Sequence, residues 1–171
     1  LEAGAVLTMS PDISDFDPHE KLSYDTFADR ETSYFRHALI AGDTVENIAI
    51  EGEGILDGNR ARRGGPKPIA LKNCRRVSVR GIELRNAPNY AVSMLACEDV
   101  VIHGVRILNG FSDGIDPDCC RYVRISNCYI ESVDDAICLK TSLAMGRRMP
   151  TEHVAITNCV LHSLSINIKM G

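Results

Sequence analysis

From residue 46 onward, apolar and polar residues alternate in short runs, and the runs recur. The segments ENIAIEGEGILDG, RRVSVRGIELRNA, EDVVIHGVRILNG, RYVRISNCYIESV and EHVAITNCVLHSL align without gaps. Their first apolar positions, Ile48, Val77, Val100, Val123 and Val154, are 29, 23, 23 and 31 residues apart. Reading down the alignment gives two further apolar rows: Ile50, Val79, Ile102, Ile125 and Ile156, then Ile55, Leu84, Ile107, Ile130 and Leu161. The residues between the first two rows and just after them are mixed or charged, a period of two that predicts strands with one buried face.

The column between the two strands of each segment reads Gly52, Gly81, Gly104, Asn127 and Asn158. Gly and Asn accept a left-handed backbone most cheaply, so this column predicts a sharp bend at the same place in every repeat. A third strand follows, carried by Ile69 and Leu71, Val92 and Met94, Ile115, Ile137 and Leu139, and Ile166 and Ile168. Three short strands per repeat with no helical period between them predict an all-β parallel β-helix, five to six coils long. A βαβ fold and a leucine-rich repeat both fit the pattern less well.

The whole chain, residues 1–171, reads as one β-helix domain cut from a longer helix. It lacks an initial Met and stops just after a strand-like run. Residues 8–36, rich in Asp, Ser, Pro and aromatic residues, break the rhythm and are expected to form an excursion or cap. Residues 59–66 (NRARRGGP) and 141–150 (TSLAMGRRMP) are expected to be inserted loops, placed where the spacing lengthens.

Composition narrows the partners. With 44% hydrophobic and 25% charged residues the chain is in the globular range, and its net charge of -4 lacks the basic excess that phosphate binding requires. Nucleic acid is therefore excluded as an expected partner. No stretch reaches the roughly 18 apolar residues of a membrane span, and the first residues have no leader pattern.

Seven cysteines could suggest disulfides or a metal site, but none falls in a CxxC pair. Cys74, Cys97 and Cys120 share one row, and Cys128 and Cys159 stand in a row with Ile82 and Val105. They read as small core residues.

The rows also make a prediction about chemistry. If Ile115, Ile137 and Ile166 are equivalent, the residues two before them are Asp113, Asp135 and Leu164, and Asp134 aligns with Ser112 and Ser163. Strands about 4.8 Å apart then crowd three carboxylates onto one groove open to solvent. Like charges resist joint ionisation, so such crowding points to function. One carboxyl can donate a proton while an ionised neighbour activates water, the arrangement of glycoside hydrolysis. On the residues alone, the alternative is that Asp113, Asp116 and Asp118 shape a turn and Asp134 and Asp135 cap a strand.

The stretch SDGIDPDCCRYVRISNCYIESVDDAICLK resembles the active-site region of glycoside hydrolase family 28, the polygalacturonases and their relatives. LEAGAVL, VENIAIEGEGILDG and LRNAPNYAV are similar to the same family, so the resemblance covers most of the chain outside residues 11–36. It implies a right-handed parallel β-helix of the pectin lyase-like kind that hydrolyses galacturonan or rhamnogalacturonan by inversion. The family's Asn-Thr-Asp motif is represented by Phe111, Ser112 and Asp113, and its Gly-Asp-Asp motif by Val133, Asp134 and Asp135. The resemblance makes Asp134 the general acid, and Asp113 and Asp135 the residues that bind and activate water.

Two features depart from the family. Its Gly-His-Gly motif falls near Ser163, Leu164 and Ser165, which hold no histidine; His162 is adjacent but stands in the surface column of Arg85, Leu108 and Glu131. Its Arg-Ile-Lys motif lies beyond Gly171.

The candidate substrate-binding residues are Lys140, Lys169, Ser112 and His162. The two lysines read as aligned on neighbouring coils, either gripping an anionic polymer or neutralising the aspartates. Arg147 and Arg148 on the 141–150 loop could form a cleft rim, with a solvated loop as the default, and Arg62, Arg63 and Lys67 are read in the same way. Asp17, Pro18, His19 and Glu20 are similar to a short alginate epimerase motif but lie outside any coil.

The resemblance implies a monomer without metal or cofactor, acting on an anionic polysaccharide outside the cell or in the periplasm. Two other classes fit the same architecture: a Ca²⁺-dependent lyase or epimerase, with the acidic cluster as oxygen ligands, and a carbohydrate-binding β-helix without catalysis.

Overall fold

The computed structural model describes residues 1–60 and 62–171, so Ala61 of the NRARRGGP loop lies outside the described residues. A first strand, β1 (Val6–Thr8), precedes five coils of three strands each. The first coil is β2 (Ala38–Asp43), β3 (Glu46–Glu51) and β4 (Ile55–Asp57), and the second is β5 (Lys67–Lys72), β6 (Arg75–Arg80) and β7 (Glu83–Arg85). The third is β8 (Val92–Leu95), β9 (Glu98–His103) and β10 (Arg106–Gly110). The fourth is β11 (Ile115–Asp118), β12 (Arg121–Ser126) and β13 (Tyr129–Ser132), and the fifth is β14 (Ile137–Leu139), β15 (Glu152–Thr157) and β16 (Val160–Ser163). A last strand, β17 (Ile168–Met170), opens a further coil.

Each strand pairs in parallel with its equivalent one coil away, giving three sheets with orders β1-β4-β7-β10-β13-β16, β2-β5-β8-β11-β14-β17 and β3-β6-β9-β12-β15. The chain is a parallel β-helix. Its core is the stack that the sequence rows predict: Val77, Val79, Ile102, Val105, Ile107, Ile125 and Ile130 are buried in one continuous cluster. Cys74, Cys97, Cys120 and Cys128 belong to it, and no disulfide forms among the described residues.

The predicted bends are in place. Gly52, Gly81, Gly104, Asn127 and Asn158 all have positive φ, between 50° and 126°. A second left-handed corner was not legible: Asn47, Arg76, Asp99, Tyr122 and His153, the second residues of the third sheet's strands, have φ of 54° to 59°.

The register departs from the predicted rows in two places. Leu56, not Ile55, pairs with Leu84, because one extra residue is accommodated between Glu51 and Leu56. Leu56 accordingly points inward and is fully buried. In the last coil Ile137 pairs with Ile168 rather than Ile166, so the residue level with Asp135 is Ile166 and not Leu164.

Residues 9–36 form an excursion and not an end cap. They contain one 3₁₀ turn, Ile13–Asp15, and a single helical turn, Arg30–Ser33. Phe35 packs with Ala70, Leu95, Cys119 and Ala144, and Tyr24 Oη donates to the carbonyl of Ala144 at 2.9 Å. The excursion thus runs along the outer face of the second sheet from the second coil to the fifth. That sheet is buried on both faces in β5, β8 and β11, as parallel sheets generally are, whereas the third sheet keeps the plain alternation of one wet face.

Candidate active site

The corner leading into the second sheet carries the aspartates. Ile115 pairs with Ile137, which sets Asp113 and Asp135 level on adjacent coils. The backbone fixes them closely: Gly114 N–H donates to the carbonyl of Asp135 at 2.9 Å, and Asp135 N–H donates to Asp113 Oδ1 at 3.3 Å.

Gly114 is required for this approach. A Cβ there would stand 2.5 Å from the carbonyl oxygen of Ala136 and 2.6 Å from Ile130 Cγ2. Gly114→Ala is therefore expected to cost about 1–3 kcal/mol by overpacking, read as a lower urea midpoint at unchanged slope. An unchanged midpoint would show that the coils part without penalty.

The two carboxylates are not on an open groove, contrary to the sequence expectation. Asp113 is 4% exposed and Asp135 1%. Lysine ammonium groups close over them: Lys140 Nζ lies 3.0 Å from Asp113 Oδ2 and 2.9 Å from Asp116 Oδ2, and Lys169 Nζ lies 2.9 Å from Asp135 Oδ2. Ser165 Oγ also donates to Asp135, at 3.0 Å. Burial pushes the Asp135 carboxyl upward, but Lys169 and Ser165 outweigh it and hold the group below its usual range. Burial lowers the Lys140 ammonium, yet Asp116, Tyr90 and Asp113 carry it well above the ordinary lysine value. The lysines are not aligned with each other: Lys140 sits opposite Asp118 and Lys169 opposite Cys138, and they converge only through their long stems.

Asp134 differs from its neighbours. Its main-chain carbonyl accepts from Ser132 Oγ at 2.8 Å and Ser163 Oγ at 2.6 Å, while its side chain is 29% exposed. Its carboxylate pairs with Arg63 Nη1 at 2.6 Å, an arginine from the loop between the first and second coils. By sequence Arg63 is a loop residue with a solvated default. Nothing in the local pattern marks a contact across 71 positions.

The other candidates fall elsewhere. Ser112 is fully buried and its Oγ has no hydrogen-bond partner among the described residues, so it presents nothing to a polymer here. His162 is exposed on the first sheet opposite Glu131, the surface position its column predicts. Asp118 accepts from Ser142 N–H at 2.9 Å and so anchors the 141–150 loop, whose Arg147 and Arg148 are exposed. The acidic pair and Cys138 could offer ligand atoms within 4.8 Å of one another, but the lysines already occupy the carboxylates.

Lys67 also departs from expectation. It begins β5, is 0% exposed, and donates to the Tyr34 carbonyl at 2.8 Å and Ser93 Oγ at 3.0 Å. Its ammonium faces the rings of Phe35, Tyr34 and Tyr90, and Lys140 lies 3.9 Å from the centre of the Tyr90 ring.

This arrangement defines a β-helix with an aspartate centre at one corner of its coils. The sequence profile described as Glycosyl hydrolases family 28 matches residues 21–166, and the chain belongs to that family. It is 32% identical to a probable polygalacturonase of Vitis vinifera, over 91% of this chain and 36% of that protein. It is 25% identical to Polygalacturonase-2 of Solanum lycopersicum, over 77% of this chain and 32% of the relative. The chain thus spans about a third of the length of these relatives. Among solved structures, the exopolygalacturonase of Thermotoga maritima matches all of this chain and 50% of its own, with a TM-score of 0.73 at 20% identity. The family 28 exopolygalacturonase of Yersinia enterocolitica matches 92% of this chain and 38% of its own, with a TM-score of 0.69 at 17% identity. At these identities the two structures establish the fold.

Proposed function

We propose that this chain carries the acid–base centre of a glycoside hydrolase that cuts pectin-type polysaccharide, galacturonan or rhamnogalacturonan, with inversion. The observation that carries the reading is the pairing of two buried, lysine-held carboxylates with a third, solvent-accessible carboxylate on the same corner. A proton donor to a glycosidic oxygen must reach the polymer, and only Asp134 is accessible enough to do so. Asp113 and Asp135 lie side by side and are each fixed by an ammonium group, which suits two acceptors sharing one water. In the reaction Asp134 gives its proton to the leaving oxygen as the anomeric C–O bond breaks. The water loses a proton to the buried pair and attacks from the opposite face.

A Ca²⁺-dependent lyase or epimerase is less well supported. Its cation would have to displace both lysines from carboxylates that already have charge partners.

Incubation with polygalacturonate and with rhamnogalacturonan tests the proposal. Reducing ends are expected from at least one of them, without a product absorbing in the ultraviolet, and proton NMR of the first product should show the anomeric configuration opposite to that of the bond cut. An unsaturated product, or retention of configuration, overturns it.

A further inference from the structure

We propose that Arg63 is a specificity-determining residue of this site: it covers Asp134 in the unliganded protein and transfers to a carboxylate of the polymer, so that a uronate sugar uncovers the proton donor. The inference rests on the reading of Asp134 as the acid and adds how the site tells a carboxylated sugar from a neutral one.

The geometry is specific. Arg63 comes from the corner between the first and second coils, Asp134 from the corner between the fourth and fifth. The loop therefore runs roughly 14 Å along the helix axis, three strand spacings. It is anchored rather than loose. Gly64 N–H donates to the carbonyl of Pro88 at 2.7 Å, and Asn89 Nδ2 donates to the carbonyl of Gly65 at 3.1 Å. A guanidinium displayed from a held loop, 46% exposed, stands over the one accessible carboxylate of the cluster.

Of the cations at the site, Arg63 alone can leave at small cost. Lys140 is largely buried, and its departure would strand Asp113 and Asp116. Lys169 is 45% exposed, but the Asp135 side chain beneath it is 2% exposed and would be left as a buried charge without its ammonium partner. Asp134 is partly solvated, so breaking its pair with Arg63 exchanges one modest surface interaction for hydration.

While the pair stands, Asp134 Oδ2 is occupied by an Arg63 N–H and cannot face a glycosidic oxygen. A sugar carboxylate offers the planar, two-pronged acceptor that a guanidinium matches best, whereas a methyl ester or a neutral sugar does not. Once the guanidinium has left, the partly solvated Asp134 carboxylate takes up a proton from water, the proton it then gives to the leaving oxygen. Exchange of partners thus couples carboxylate recognition to loading of the acid.

The experiment uses Arg63→Gln and Arg63→Lys, with trigalacturonate and its fully methyl-esterified form as substrates, and galacturonate monosaccharide as a ligand with no bond to cut. Arg63→Gln is expected to lower kcat/KM for trigalacturonate by about 10- to 100-fold, mostly through KM, the worth of a hydrogen bond between charged groups. The methyl ester should be cut as well as before or better, and Arg63→Lys should fall between. Calorimetry should show galacturonate binding weakened about tenfold or more in Arg63→Gln, with the unfolding midpoint of the protein unmoved. Equal losses on both substrates, or unchanged galacturonate affinity, overturn the inference. If wild type binds galacturonate through Arg63 yet releases no reducing ends, the hydrolase reading fails while carboxylate recognition by Arg63 stands.

Discussion

Asp134→Asn is expected to slow glycosidic cleavage by about 10²- to 10⁴-fold, the usual worth of a positioned general acid. The substitution is nearly isosteric. The contacts that orient residue 134 are made by its main-chain carbonyl with Ser132 and Ser163, and these remain. The amide oxygen can still accept from Arg63, so the loop need not move. Substrate affinity should therefore change little and the loss should appear in kcat.

Asp135→Asn should cut the rate as well, but with a different signature. It removes the buried charge that Lys169 and Ser165 now face, so it should also lower the unfolding midpoint. Rates within threefold of wild type for Asp134→Asn would sink the assignment of the acid, whatever the fate of the other aspartates.

The parts of this site that were legible in the sequence are those governed by strand period. The levelling of Asp113 with Asp135 follows from Ile115 and Ile137 being inward residues of neighbouring strands, and a period of two leaves no freedom once the inward set is known. The same logic failed at Ile55 because Gly52 and Gly54 flank an extra residue, which a gapless alignment cannot represent. It failed in the last coil because both Ile166 and Ile168 are apolar, so hydrophobicity alone does not choose between them. Burial of the aspartates was missed for another reason: it depends on Lys140, Lys169 and the excursion, and their contacts are made through long side chains and an irregular segment with no periodicity. Arg63 belongs to that group. A pair formed across three coils has no local signal.

Lys67 was unreadable on the same grounds, and it carries the largest expected effect on stability. Its ammonium is fully enclosed and no carboxylate lies within salt-bridge distance among the described residues. Burial pulls it down from 10.5 to about 7, with Asp116 offsetting part of the shift and Lys140 adding to it. The unfolded chain then binds more protons than the folded one between about pH 7 and 10.5, so this group makes stability rise with pH across that window. A displacement of this size corresponds to at most about 5 kcal/mol.

Lys67→Met removes the titration while keeping an apolar stem of similar length. The variant also leaves the Tyr34 carbonyl and Ser93 Oγ short of a donor, a cost that is the same at every pH. The difference between the two proteins at pH 6 and at pH 10 therefore isolates the ammonium. Asp116 acts with the opposite sign: burial holds its carboxyl well above the ordinary value despite Lys140, so stability falls as pH climbs from the unfolded carboxyl value to the folded one.

Urea titrations at pH 6, 8 and 10 should show Lys67→Met gaining on wild type most at pH 6 and least at pH 10, by several kcal/mol overall. Adding Asp116→Asn should enlarge the Lys67 difference, because the carboxylate that offsets part of the shift is then gone. Parallel stability curves for wild type and Lys67→Met would mean that the lysine stays charged in the fold, held by carbonyl, hydroxyl and ring faces alone.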